Sequence, residues 1–129
     1  MRHRRRHQDK TLFLLTILIF LFRMTTKSPT QRSLEFLREQ GYHCEVVEKW
    51  NHWTKRRADL WTWCDILAIR KDEVLAVQVT SGSNVSARIK KIQESDTVAL
   101  VRDAGIRIEI HGWRKAANGR YVIRVEDIS

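Results

Sequence analysis

The stretch Cys64-Asp65-Ile66-Leu67-Ala68-Ile69-Arg70-Lys71-Asp72-Glu73-Val74-Leu75-Ala76-Val77-Gln78-Val79-Thr80 decides the fold. Two apolar runs rich in Val, Ile and Leu, Cys64 to Ile69 and Val74 to Thr80, are parted by the charged break Arg70 to Glu73, which is the pattern of a β-hairpin. Both faces of both strands are apolar. The hairpin is therefore expected inside a sheet covered on two sides, a layered α/β arrangement. Three polar residues, Asp65, Gln78 and Thr80, stand out within it. With the hairpin centred between Lys71 and Asp72, Asp65 lies across from Gln78, and Thr80, two residues on, points to the same face. Their side chains then converge at the open end of the hairpin.

A carboxylate beside an amide oxygen is what a hard cation such as Mg2+ or Mn2+ accepts, with water completing the shell. Such a cation can hold a scissile phosphate, lower the pKa of a bound water and stabilise the charge of in-line attack. Glu35, on the first helix, is the candidate for a second acid. Read without chemistry, Asp65 ends a strand or pairs with an arginine, while Gln78 and Thr80 satisfy backbone groups.

Working outward, Leu34, Phe36 and Leu37 suit a short amphipathic helix over 30–40, stopped at Gly41. Tyr42 to Val47 reads as a first strand. Lys49 to Thr62 has no clean period and is expected as a loop or irregular strand. After the hairpin, Ser81-Gly82-Ser83-Asn84 breaks the strand and offers helix caps. Val85 to Ile92 and Thr97 to Asp103 read as helices and Ile106 to His111 as a strand. Asn118-Gly119 then signals a turn before a last strand over 121–125.

At 129 residues, 43% hydrophobic with five Trp, four Phe and two Tyr, the chain is the size of one domain and excludes a disordered, collagen-like or low-complexity protein. Its formal charge of +9 makes nucleic acid or an anionic membrane the first partners to consider. The charge is unevenly spread. Within residues 1–23, Arg2, Arg4, Arg5, Arg6, Lys10 and Arg23 face only Asp9, giving +5, and the remainder carries +4. That extension is a basic head followed by an apolar run from Leu12 to Phe22, about 16 Å of helix, against the roughly 20 residues a bilayer needs. It offers no good cleavage site. Translation beginning at Met24, a membrane anchor or uncleaved signal, and a cleaved signal are the three readings. A peptide spanning Phe13 to Phe22 in the natural protein would rule out the first. Residues 24–129 form the domain proper.

Cys44 and Cys64 belong to no C-x-x-C pair, and with His43, His52 and His111 they match no usual zinc spacing. They read as buried free thiols, which fits a reducing cytoplasm. Lys55, Arg56 and Arg57 lie among Trp50, Trp53, Trp61 and Trp63, a segment able either to grip nucleic acid or to close the core. Asn84, Arg88, Lys90 and Lys91 form a second polar and basic cluster just after Thr80.

This order of elements, with an acid opening the second strand of the core and a polar triplet closing the third, resembles the PD-(D/E)XK nuclease superfamily. More narrowly, it is similar to small phage and prokaryotic proteins related to Holliday-junction resolvases and VRR-NUC domains. The resemblance is carried by Arg57 to Trp61, Cys64 to Ala68, Leu75 to Ser81, Asn84 to Arg88 and His111 to Lys115, and spans Gln31 to Ile128. It implies a restriction-endonuclease-like core, helix, three strands, helix, strand, with a mixed sheet covered by helices. It also implies a Mg2+- or Mn2+-dependent endonuclease acting on DNA, branched DNA included, and working as a dimer. Asp65 takes the place of the metal-binding acid, Gln78 that of the second acid, Val79 would offer its carbonyl to the metal, and Glu35 would match the helix-borne acid. Two departures stand out. Gln78 is a neutral amide, and Thr80 replaces the usual lysine, whose charge Lys90 or Lys91 would have to supply. A fold that kept DNA binding and lost cleavage is the alternative. A small membrane-anchored protein is the third reading, should Leu12 to Phe22 be retained.

Overall fold

Register is what the hairpin contributes first. In a computed structural model that describes residues 11, 14–18 and 27–129, strand β4 (Ile66–Arg70) pairs antiparallel with β5 (Glu73–Ser81), Ile66 opposite Val77 and Arg70 opposite Glu73. The turn is Lys71-Asp72, with Asp72 at φ +60, a left-handed conformation that aspartate tolerates better than most residues. Its closed end is pinned. Arg70 Nε donates to Glu73 Oε2 at 2.7 Å, the Tyr42 hydroxyl donates to the same oxygen at 2.6 Å, and the Arg70 guanidinium lies over the Tyr42 ring.

Helix α1 (Pro29–Glu39) precedes the hairpin, opened by a capping box in which Ser28 and Gln31 bond each other's backbone, and Gly41 follows it at φ +87. Strand β1 (His43–Val46) leads to a separate ribbon, β2 (Lys49–Asn51) with β3 (Arg56–Ala58). After β5 come a 3-10 turn (Gly82–Asn84), α2 (Val85–Gln93), α3 (Val98–Asp103), β6 (Arg107–Lys115) and β7 (Tyr121–Asp127). The main sheet runs β1-β4-β5-β6-β7, antiparallel except where β6 lies parallel to β5 after the crossover through α2 and α3. The chain is thus α/β, with a mixed five-stranded sheet and helices on both faces.

Because β5 is central, its side chains feed two cores. Leu75 and Val77 pack with Ile66, Ala68, Cys44 and Leu37 beneath α1. Ala76 packs on the opposite face with Val85, Ile92, Val98, Val101, Ile108, Ile110 and Trp63 beneath α2 and α3. On that face a Cβ at Gly112 would strike Val85 Cγ2 and stand 3.2 Å from Gly82 Cα, so α2 starts hard against β6 only because position 112 has no side chain.

Several expectations need correction. The segment 49–62, expected as a loop or irregular strand, holds two short paired strands, the β2–β3 ribbon. Strand β6 runs on to Lys115 instead of ending near His111, because its second half pairs with β7 rather than burying an alternating face. Asn84 precedes α2 without a side-chain capping bond, the 3-10 turn having already begun to wind the chain. Most of the N-terminal apolar run lies outside the described residues. Residues 11 and 14–18 are helical, and among the described residues no helix is long and apolar enough to cross a membrane.

Helix α1 is fastened to the sheet by a buried polar chain. The Trp113 indole N–H donates to Ser33 Oγ at 2.9 Å, leaving the hydroxyl proton for His111 Nδ1 at 3.0 Å, while His111 Nε2–H donates to Glu109 Oε1 at 3.2 Å. Ser33 and His111 are fully buried, so losing the shared oxygen strands two donors or acceptors at once. Ser33→Ala is therefore expected to cost about 2–3 kcal/mol in a denaturant titration, more than an ordinary Ser→Ala change on a helix. A loss below about 0.5 kcal/mol would show that the chain of bonds does not hold α1.

Candidate metal and nucleic-acid site

The pairing of β4 and β5 carries through to Asp65, whose backbone N–H donates to Val77 O at 2.8 Å. Its half-buried carboxylate accepts through Oδ2 from both Gln78 Nε2 and the Val79 backbone N–H, each at 2.7 Å. The same Gln78 Nε2 donates to Val79 O at 3.1 Å. Gln78 itself is only 2% exposed, and its other amide atom, Oε1, is buried without a hydrogen-bond partner. The amide nitrogen thus bridges Asp65 Oδ2 and Val79 O, two of the oxygens the sequence assigned to a cation.

Around Asp65 the chain gathers acids the sequence reading did not assign. Leu60 and Cys64 form a bridge, Leu60 N to Cys64 O at 3.1 Å and Cys64 N to Leu60 O at 2.8 Å, closed by left-handed backbone at Trp61 (φ 56) and Thr62 (φ 70). That tight loop folds Asp59 back towards Asp65. On the other side Val47 N–H donates to Asp65 O at 2.9 Å, which sets Glu48 nearby. Burial pushes the Asp65 carboxyl up to about 7, against the pull of the Val79 N–H; the charge of Asp59, a hydrogen bond with its carboxyl and the charge of Glu48 push the same way. Glu48 and Asp59 line a cavity of about 490 Å³ together with Val46, Val47, Lys49, Ala58, Leu60 and Trp61. Among the described residues no group of three or more His, Cys, Asp or Glu side chains is set to hold a metal ion. The candidate ligands are oxygens, the carboxylates of Asp65 and Asp59 and the unpartnered Gln78 Oε1, but Gln78 Nε2 is the amide atom that faces Asp65. That donor set suits a hard cation that keeps several waters.

The remaining sequence-assigned residues fall differently. Thr80 is buried on the Gln78 face beneath α2. Glu35 does not join the site. It is exposed on α1, which covers the other face of the sheet, and pairs with Lys27 at 2.9 Å. Lys90, exposed on α2, pairs with Glu94 one turn on at 3.9 Å and not with Asp65. Asn84 and Lys91 are exposed and Arg88 is half-buried. Lys55, Arg56 and Arg57 are exposed on the ribbon, with Arg57 3.6 Å from Glu48. The four tryptophans of this region divide. Trp63 is wholly in the core and its indole donates to Thr97 Oγ1, Trp61 packs against Trp63, and Trp50 and Trp53 are exposed. Cys44 and Cys64 are free and buried, and burial raises the Cys64 thiol to about 12, which keeps it protonated and unreactive.

The chain matches no protein-family model, no curated protein and no solved structure.

The raised carboxyl has a consequence for stability. The folded state holds a proton on Asp65 that the unfolded chain releases near pH 4, so this group's contribution is most favourable below that pH and is lost as pH rises towards 7. Asp65→Asn keeps an acceptor for Gln78 and Val79 and carries no charge. It is expected to be more stable than the parent at pH 8 by about 1–2 kcal/mol, allowing for solvent reaching the half-buried carboxyl, with the gain vanishing near pH 4. A gain independent of pH, measured by thermal melts across that range, would contradict this electrostatic account.

Proposed function

We propose that the chain is a metal-dependent, nuclease-like protein that hydrolyses phosphodiester bonds in DNA, built on a restriction-endonuclease-like core. The observation that carries the reading is the Asp65–Gln78–Val79 junction: an acid, an amide and a peptide group meet at the open end of a central hairpin, beside a basic ribbon. The element order supports it: leaving aside the inserted β2–β3 ribbon, one helix, the strands β1, β4 and β5, a helical crossover and the parallel strand β6 match the order the resemblance calls for, with two helices in the crossover where it calls for one.

Asp65, with Asp59 beside it, and Gln78 through Oε1 are the residues that would hold Mg2+ or Mn2+. The cation, when bound, supplies Lewis-acid activation of water and charge stabilisation at the phosphate. The chain's own residues do the rest. The Val79 N–H fixes the Asp65 carboxylate. The orientation with Nε2 inward keeps Gln78 Oε1 from facing Asp65 Oδ2 and Val79 O; for Oε1 to serve as a ligand beside Asp65 the amide would have to turn over. Lys55, Arg56 and Arg57 on the ribbon, and Arg88 and Lys91 with Asn84 on α2, present donors to the DNA backbone.

A second reading, a nuclease-fold DNA-binding module without cleavage, has an observation of its own in favour. Gln78 Nε2 already bridges the two oxygens a cation would take, Thr80 stands where a lysine is expected, and Lys90 is turned to Glu94.

Linear, supercoiled and four-way-junction DNA incubated with the protein in Mg2+ or Mn2+, beside Asp65→Ala, separates the two. The enzyme reading expects cleavage that needs the cation and is abolished in the variant. Binding without cleavage in both proteins favours the module, and cleavage that persists in Asp65→Ala removes Asp65 from the mechanism. A further variant, Gln78→Glu, adds a second carboxylate beside Asp65. It is expected to bind Mg2+ more tightly in a calorimetric titration and to melt at lower temperature in EDTA; unchanged metal affinity would contradict the assigned ligands.

A further inference from the structure

The β2–β3 ribbon contributes nothing to either core: every residue from Lys49 to Ala58 is exposed. Its tip is nonetheless built with care. Asn51 Oδ1 accepts from the backbone N–H groups of Trp53 at 2.9 Å and Thr54 at 3.3 Å, an Asx-type turn, and Lys55 closes the loop at φ +52. The result holds Trp53 at 96% exposure, where it has almost no contact with the rest of the protein. A tryptophan left in water forgoes one of the largest apolar burials available to any side chain. From residue 49 to 57 there is no acid, while Lys49, Lys55, Arg56 and Arg57 are all basic. Both feet of the ribbon stand at the candidate site, since Glu48 precedes β2, Asp59 follows β3, and Val47 is hydrogen-bonded to Asp65.

We infer that the ribbon is a probe for unpaired bases in DNA: Trp53 stacks on an exposed base while the neighbouring cations hold the flanking phosphates. This rests on the DNA reading of the adjoining site and specifies its substrate class as DNA with single-stranded or forked segments. A base in a regular duplex is already stacked on both faces, so inserting an indole there costs unstacking, whereas an unpaired base offers a free π-face. A fixed tip pays little ordering cost on binding, so the Asn51 turn favours the stacked complex. The absence of acids along the ribbon matches a polyanion, and continuity with Asp65 favours nucleic acid over a lipid surface of the same charge.

Fluorescence anisotropy of the full chain in EDTA, with a forked oligonucleotide and a fully paired duplex of the same length, tests this without cleavage. The parent is expected to prefer the fork. Trp53→Ala should weaken fork binding by roughly five- to a hundredfold and leave duplex binding within about twofold. Trp53→Phe, which keeps a stacking ring, should retain most of the preference. Lys55→Gln with Arg56→Gln should weaken both DNAs alike and flatten the salt dependence by about two counterions. A fork-to-duplex ratio unchanged in Trp53→Ala overturns the inference, as does Trp53-dependent binding to phosphatidylserine vesicles with none to DNA. Failure is separable from that of the adjoining site: fork binding through Trp53 without Mg2+-dependent cleavage sinks the enzyme alone. Cleavage undisturbed by Trp53→Ala, with the fork-to-duplex ratio also unchanged, sinks the ribbon's role alone.

Discussion

The two-residue turn at Lys71-Asp72 fixes the register of β4 against β5, and the meeting of Asp65 with Gln78 and Val79 follows from that register. A slip of one residue would turn Leu75 and Val77 away from α1 and carry Gln78 to the other face, away from Asp65. The slip is prevented at both ends. Arg70, Glu73 and Tyr42 lock the turn, and apolar cores on both faces reject any other alternation. Asp65 is therefore delivered to Gln78 by the packing of residues that take no part in chemistry.

Once delivered, Asp65 is in tension with its surroundings. It is half-buried, two further acids approach it, and the groups that satisfy it are a peptide N–H and a neutral amide. The left-handed backbone at Trp61 and Thr62 that brings Asp59 close adds a local cost, of the kind that persists where the surrounding structure or a function demands it. Gln78 relieves part of the tension and creates another, leaving Oε1 buried with no partner. A cation in this junction would answer both, neutralising the acids and giving the amide oxygen a partner.

The hairpin, its centre and the facing of Asp65 and Gln78 were legible because strand alternation and a short turn leave little freedom. The helix over 85–92 was legible from the spacing of Val85, Ile89 and Ile92, and the one over 97–103 from its stop at Gly105. The acids near Asp65 were not. Asp59 reaches it through a reversal made by non-glycine residues at positive φ, which no residue type announces, and Glu48 arrives through a backbone bond from Val47. The signal that could have found them is the acid-free run 49–58 with Glu48 and Asp59 at its two ends. Glu35 misled for the converse reason: helical periodicity places it on α1 but does not say which face of the sheet α1 covers.

The most direct measurement is the titration of the Asp65 side-chain carboxyl by carbon NMR, in EDTA and again with Mg2+. The account expects an apparent pKa raised towards 7 without the cation and a clear downward shift when Mg2+ is present. A carboxyl that titrates in the ordinary aspartate range under both conditions would contradict both the crowding of Asp65 and the proposal that it holds a cation.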